Sequence, residues 1–405
     1  MPKTVWLLVI GMAVNMTGAS FLWPLNSIYI HDHLGKSLFI AGLVLMLNHF
    51  TSVIGSLLGG YLHDKIGGYR SVLLGGLISA VALAGLTWNH AWPDYVFFLG
   101  AIGLGSGMIG PAILAMAGAA WKGGGRKAFN AIYVANNIGV ALGAALGGVI
   151  ASYSIDLIFA ANLALFLVFM AIAIFGYRNI AEKHAGYAGA AAVSAKSAGR
   201  AQVASLIILC FAYFLAWTAY TQWTATISTY TQTLHISLNK YSFLWTLNGA
   251  IIVLGQPLLL PFLKRFLPEV KQQIVAGTAI FMLSFAVVAF AGHFPGFAVA
   301  MGILTVGEML VWPAVPAVAN TLSPKGREGF YQGIINSVAT CGRMIGPVVG
   351  GFVADAFGMK ALFGLLIFFL AVSLLLALLY DRPLAKKKRI LRWQENNVET
   401  GNEFL

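Results

Sequence analysis

Glu308 is the one acidic residue deep within an apolar stretch of this chain; Asp32, Asp94, Asp156 and Asp355 fall in or beside the short segments between such stretches. A carboxylic acid removed from water favours its protonated form, so an acid at this depth can exchange a proton near neutral pH. Trp312 follows one helical turn later on the same face. Pro313 and Pro316 lack the N–H groups that would bond the carbonyls of Met309 and Trp312, which breaks a helix at this point. A proton-binding acid, an aromatic wall and released carbonyls in one place suit an organic cation.

Arg343 is the basic residue buried in an apolar stretch, and Asn336 lies seven residues before it on nearly the same face. Charges at such depth are costly and mark function. Three roles stay open: Glu308 carries the proton, Glu308 and Arg343 form a structural ion pair, or the pair is itself a switch that closes when Glu308 is ionised and opens when it is protonated.

Further candidate substrate contacts are Asn15, Asn48, His49, Tyr133, Asn137, Trp223, Trp245 and Asn248, with Trp312 and Asn336. For His49 and for the Tyr133–Asn137 pair, an interhelical hydrogen bond is the competing role. Trp217, Tyr220, Trp223 and Trp245 are expected in part to line an aromatic cavity and in part to pack. His31, Asp32 and His33 look ligand-like, but a solvated loop explains them and no metal site is expected. Cys210 and Cys341 both fall in apolar stretches and read as small buried residues. No nucleophile–base pair stands out, and no Gly-rich Lys-Ser/Thr phosphate loop. Enzymatic activity, a cofactor and direct use of ATP are not expected.

What must position these residues is a set of membrane helices. Charged residues are 9% of the 405 and hydrophobic ones 59%, too few charges to keep a soluble protein dispersed. Twelve apolar stretches, at 5–28, 38–61, 71–89, 95–120, 128–151, 157–177, 203–226, 241–262, 273–291, 296–320, 329–353 and 360–380, are each near the ~20 residues a bilayer core requires. If the chain starts inside, twenty-one of its twenty-five Lys and Arg residues fall on the inner side, leaving Lys36, Lys240 and Lys360 outside and Arg343 within a span. That bias predicts twelve crossings with both termini cytoplasmic. It also accounts for the net charge of +12 without nucleic acid as a partner.

The chain reads as an all-α membrane protein in two pseudo-symmetric six-helix bundles, 1–177 and 203–380. They are joined by an Ala/Gly/Ser-rich linker, 178–202, and followed by a basic tail, 381–405, whose stretch from Lys386 to Arg392 would favour anionic lipids. The bundles repeat: Gly139, Gly143 and Gly147 in the fifth span match Gly342, Gly346 and Gly350 in the eleventh at a constant offset of 203 residues. A glycine every four residues makes a bare stripe that lets another backbone approach. For the fifth span, that backbone is expected to come from the other bundle. Polar residues concentrate away from spans 3, 6, 9 and 12, which places those four against lipid.

The loop after the second span reads Gly60-Tyr-Leu62-His-Asp64-Lys65-Ile-Gly67-Gly68-Tyr-Arg70. It resembles the signature loop of the major facilitator superfamily, with Gly68 where a basic residue is usual. The likeness spans the whole chain. The run Gly342-Arg-Met-Ile-Gly346-Pro347-Val-Val-Gly350 is similar to a motif of the drug/proton antiporter branch, where it lies in the fifth helix; here that helix has Ala144 at the proline position. The resemblance implies that Gly60, Asp64, Lys65, Gly67 and Arg70 gate the cytoplasmic side, Asp64 tying the second helix to the eleventh. It implies a secondary transporter working by alternating access, a monomer, whose partners are protons, a small molecule and membrane lipids. With the lone acid and the aromatics, the expected activity is proton-coupled export of hydrophobic or cationic compounds. A lipid or glycolipid flippase of the same fold is the alternative.

Overall fold

The computed structural model describes residues 1–22, 26, 29–36, 38–121, 126–154, 156–178, 180 and 199–385. Most of the expected linker, the basic stretch from Lys386 to Arg392, Lys122, and the side chains of His31 and Asp32 lie outside what is described.

All described regular structure is helical, as a hydrocarbon solvent demands of any span that must satisfy its own backbone. The first half of the chain supplies α1 (Lys3–Leu22), α2 (Leu38–Ile66), α3 (Gly68–Trp88), α4 (Asp94–Ala120), α5 (Arg126–Tyr153) and α6 (Asp156–Gly176). The second half supplies α7 (Arg200–Tyr220), the short α8 (Thr226–Thr233), α9 (Leu238–Phe266), α10 (Val270–Ala289), α11 (Phe294–Val311), α12 (Ala314–Leu322) and α13 (Glu328–Leu379).

Three spans are not simple continuous helices, and the tenth breaks where its prolines predict. The seventh stops at Tyr220, passes through a 3₁₀ turn at Thr221–Trp223 and resumes as α8. The tenth is broken at Trp312 and Pro313 into α11 and α12, where the prolines withdraw their donors. The last helical stretch, α13, runs for 52 residues, or roughly 78 Å at the α-helical rise, more than twice a bilayer core. It cannot be a single crossing. Gly358, at φ 82° and ψ 166°, is the joint that folds it into two. Eleven helical segments among the described residues are long and apolar enough to cross a membrane.

Buried apolar side chains cluster on either side of the chain's midpoint, two clusters between Val5 and Ile180 and one between Leu206 and Tyr380. The glycine stripes explain much of the packing within each half. Side chains on Gly139, Gly143 and Gly147 would collide with Ala13, Met16, Thr17, Ser20 and Phe21 of α1. Side chains on Gly342, Gly346 and Gly350 would collide with Trp217, Thr218, Thr221 and Gln222. Gln222 Nε2 donates to the Gly346 carbonyl at 2.7 Å across that contact. Pro347 sits on the opposite, exposed face of α13.

The expectation that the fifth-span stripe meets the other half is therefore corrected. The α1–α5 pair and the α7–α13 pair are equivalent contacts inside their own halves. A Gly143→Leu substitution should force α1 from α5 at a cost of about 1–3 kcal/mol or more. The expected result is a clear fall in the unfolding midpoint of the detergent-purified protein. Gly364→Leu should leave it unchanged, since nothing lies within 4 Å of a side chain placed there.

The halves meet where α2 packs along α13, with smaller contacts of α4 on α12 and α13 and of α5 on α9 and α12.

Candidate functional site

A cavity of about 250 Å³ lies between the halves, walled by α4 and α5 on one side and by α7, α11, α12 and α13 on the other. Tyr133, Asn136 and Asn137 reach it from α5; Tyr213 and Trp217 from α7; Glu308, Trp312, Asn336 and Arg343 from the elements opposite. Leu114, Phe129, Ile132, Ile335 and Ala339 make it mostly apolar.

Glu308 is 4% exposed. Its Oε2 accepts hydrogen bonds from the Tyr220 hydroxyl at 3.1 Å and from Asn248 Nδ2 at 2.8 Å. Asn248 also reaches Thr305 Oγ1 at 2.9 Å, so α7, α9 and α11 share one polar knot in the second half. Tyr133 and Trp312 stand close enough to interact with the carboxylate, but neither the Tyr133 hydroxyl nor the Trp312 indole N–H forms a hydrogen bond of ordinary geometry. Every group facing the acid is neutral. Tyr133 comes from the first half, so its approach to Glu308 spans the interface.

Arg343 makes no ion pair with Glu308, which removes the paired alternatives. Nη2 donates to Thr340 Oγ1 at 2.8 Å, and the guanidinium lies over the Trp217 ring, 4.7 Å from its centroid. Trp217 in turn stacks on Trp312 at 4.3 Å and 8°. Proximity of the tenth and eleventh spans in sequence says nothing of where each helix points its side chain. Among the described residues no carboxylate pairs with Arg343; its charge also reaches His49 on α2.

The remaining candidates separate. Asn137 lines the cavity with its Nδ2 tied to the Tyr133 carbonyl at 2.9 Å. Asn336 lines it while donating to Ser56 Oγ across the halves at 2.7 Å. Asn48 instead ties α2 to α4 through the Leu99 carbonyl at 2.7 Å. Asn248 stands behind Glu308. Asn15 and His49, both half-buried, are not in the cavity lining. Trp223 is fully buried in the second-half core, its carbonyl accepting from the Tyr241 hydroxyl, and Trp245 donates to that same hydroxyl at 3.1 Å. Both tryptophans pack and do not line the cavity. Of the aromatics named from the sequence, Trp217 lines the cavity and Tyr220 bonds Glu308, while Tyr213, which was not named, lines it too. Their i, i+4, i+7 spacing puts them on one face of α7.

A second site lies at one end of the α2–α13 contact. Asp64 Oδ1 accepts from the backbone N–H of Gly329 and Oδ2 from that of Phe330, each at 2.9 Å. These are first-turn amides of α13, without partners inside their own helix and at its positive end. The carboxylate gets there because Gly60 and Gly329 touch; a side chain on either would strike the other's carbonyl. Ser337 Oγ continues the seam by donating to the Val53 carbonyl at 3.2 Å. Lys65 lies over the Tyr61 ring at 5.7 Å, and Arg70 is exposed. Gly67, at φ 86°, turns the chain into α3.

Helices of this length and packing, around a cavity between two halves, make a multi-pass membrane protein with room for a small molecule at its centre. The sequence matches the Major Facilitator Superfamily over residues 8–269 and 209–401, and the chain belongs to that family. It is similar to the uncharacterized MFS-type transporter YttB of Bacillus subtilis (strain 168), 54% identical over 388 residues, 96% of this chain and 98% of that protein. Its fold is similar to that of the human organic anion transporter MFSD10, with a TM-score of 0.75 at 16% identity over 93% of this chain and all of the other. It is also similar to the MFS transporter FucP in the outward conformation, with a TM-score of 0.69 at 17% identity over 93% and 98%. The protein is thus a multi-pass transporter of the cell membrane. Its family handles small-molecule substrates and is generally monomeric and not enzymatic.

Proposed function

We propose that this protein is a proton-coupled secondary transporter that exports hydrophobic small molecules, including ones with a cationic group, in the manner of multidrug efflux. The observation that carries the reading is Glu308: a buried acid at the cavity wall, held by neutral donors, with no basic partner among the described residues. An ion-paired acid would hold its charge; this one is free to exchange a proton for a substrate.

Two bundles, 1–177 and 203–380, crossing the membrane twelve times with both termini cytoplasmic, rock about the cavity. The loop of Gly60, Asp64, Lys65, Gly67 and Arg70 gates the cytoplasmic side, with Asp64 as the latch. Tyr133 senses the charge on Glu308 from the opposite bundle, which links protonation to the position of the halves.

The test is a vesicle assay with the purified full chain. Under an imposed pH gradient, a lipophilic fluorescent dye should move, and a protonophore should abolish that movement. Movement of a fluorescent lipid without dye movement would replace this reading by a flippase.

A further inference from the structure

The cavity holds two opposite charges that do not neutralise one another. Glu308 is bonded by Tyr220 and Asn248. Arg343 is bonded by Thr340 and stacked over Trp217. Between them stands the parallel Trp217–Trp312 pair. The indole N–H of each tryptophan and the hydroxyl of Tyr133 are buried without a hydrogen-bond acceptor at bonding geometry. Tyr133 and Trp312 lean on Glu308, and Trp217 on Tyr213, without well-formed bonds, so an acceptor on a ligand would satisfy them better.

Exchange of substrate for a proton, the reading above on which this inference rests, limits what can fit. A simple cation would bind the ionised Glu308 and be displaced by a proton, but it would meet Arg343 in the same small space. A simple anion would suit Arg343, but it would bind best when Glu308 is protonated. By reciprocal linkage, proton and anion would then travel together and not exchange. A molecule with both charges escapes both difficulties. Its cationic group occupies Glu308 and is displaced by the proton, while its anionic group anchors on Arg343. A flat ring on such a molecule, between its charged groups or beside them, would lie along the tryptophan pair, and a volume of about 250 Å³ admits little more than one ring with short arms.

We propose that the substrate is a small aromatic zwitterion, bound with its cationic group at Glu308 and its anionic group at Arg343.

Binding to the full chain in detergent at mildly alkaline pH, measured calorimetrically, tests this with two matched series. One is phenylalanine, phenethylamine and hydrocinnamate. The other, with wider charge spacing, is p-aminomethylphenylacetate, p-methylbenzylamine and p-tolylacetate. In at least one series the zwitterion should bind roughly 10-fold or more tighter than either singly charged analogue. Arg343→Gln should erase the advantage the carboxylate confers, Arg343→Lys should keep part of it, and Glu308→Gln should erase the advantage of the amine. The proposal is overturned if neither zwitterion binds, if a singly charged analogue equals the zwitterion in both series, or if folded variants keep the wild-type preferences. A vesicle arm separates the two readings. A zwitterion that binds with both dependences but ignores a pH gradient removes proton exchange and leaves the site. A dye that follows the gradient while no zwitterion binds does the reverse.

Discussion

Glu308→Gln should reduce gradient-driven transport by roughly two orders of magnitude or more, the scale on which a positioned proton donor acts. Exchange of an uncharged lipophilic dye, which does not need the carboxylate, should persist across vesicles at equal pH. The amide keeps an oxygen to accept from Tyr220 and Asn248, so the polar knot of α7, α9 and α11 survives while the titrating proton is lost. Dependence of the exchange rate on pH should flatten in the variant, because the groups on the carboxyl (Tyr133, Tyr220, Asn248, Thr305 and Trp312) are neutral and the one charged group elsewhere in the described lining, Arg343, is a guanidinium that keeps its proton. Wild-type gradient-driven rates in a folded Gln variant would end the assignment of Glu308 as the proton carrier.

Asp64→Asn should open the seam that α2 makes with α13. Hydrogen bonds to a charged acceptor are worth about 1.5–3 kcal/mol each, and Asp64 makes two, to Gly329 and Phe330. Asparagine offers one acceptor oxygen and turns an N–H group toward the second amide. A loss of about 1.5–3 kcal/mol shifts the balance between closed and open forms by roughly 10- to 150-fold. Spin labels at the exposed positions Lys127 and Lys325, in a background lacking Cys210 and Cys341, should show a new long-distance population. Gly60→Val should act in the same direction, since its side chain would displace the Gly329 backbone. An unchanged distance distribution in both variants would remove the latch.

The apolar stretches and the break at Pro313 were legible in the sequence, because bilayer thickness and missing backbone donors act on local sequence alone. So was Glu308, because a lone acid at depth stands out. What converges on it was not. Amphipathicity orients a helix only when one face is polar; α7 is apolar nearly all round, so Tyr213, Trp217 and Tyr220 could not be told by composition from Trp223, which turned into the core. The glycine stripes announced a close neighbour without naming it, and α1 and α7 took that place. Asn48 met the Leu99 carbonyl before it could meet a ligand. The separation of Glu308 from Arg343 depended on helix rotation, which no spacing within one span reports.

Asp64 grips main-chain amides, so its recognition across the seam is blind to side chains. A hybrid carrying this protein's amino-terminal half and a relative's carboxy-terminal half should still shut, provided the relative keeps glycine where Gly329 stands. A search for co-varying partners of Asp64 should come back empty even though its contact holds the two halves together, whereas Ser56 and Asn336, which meet side chain to side chain, should change in step.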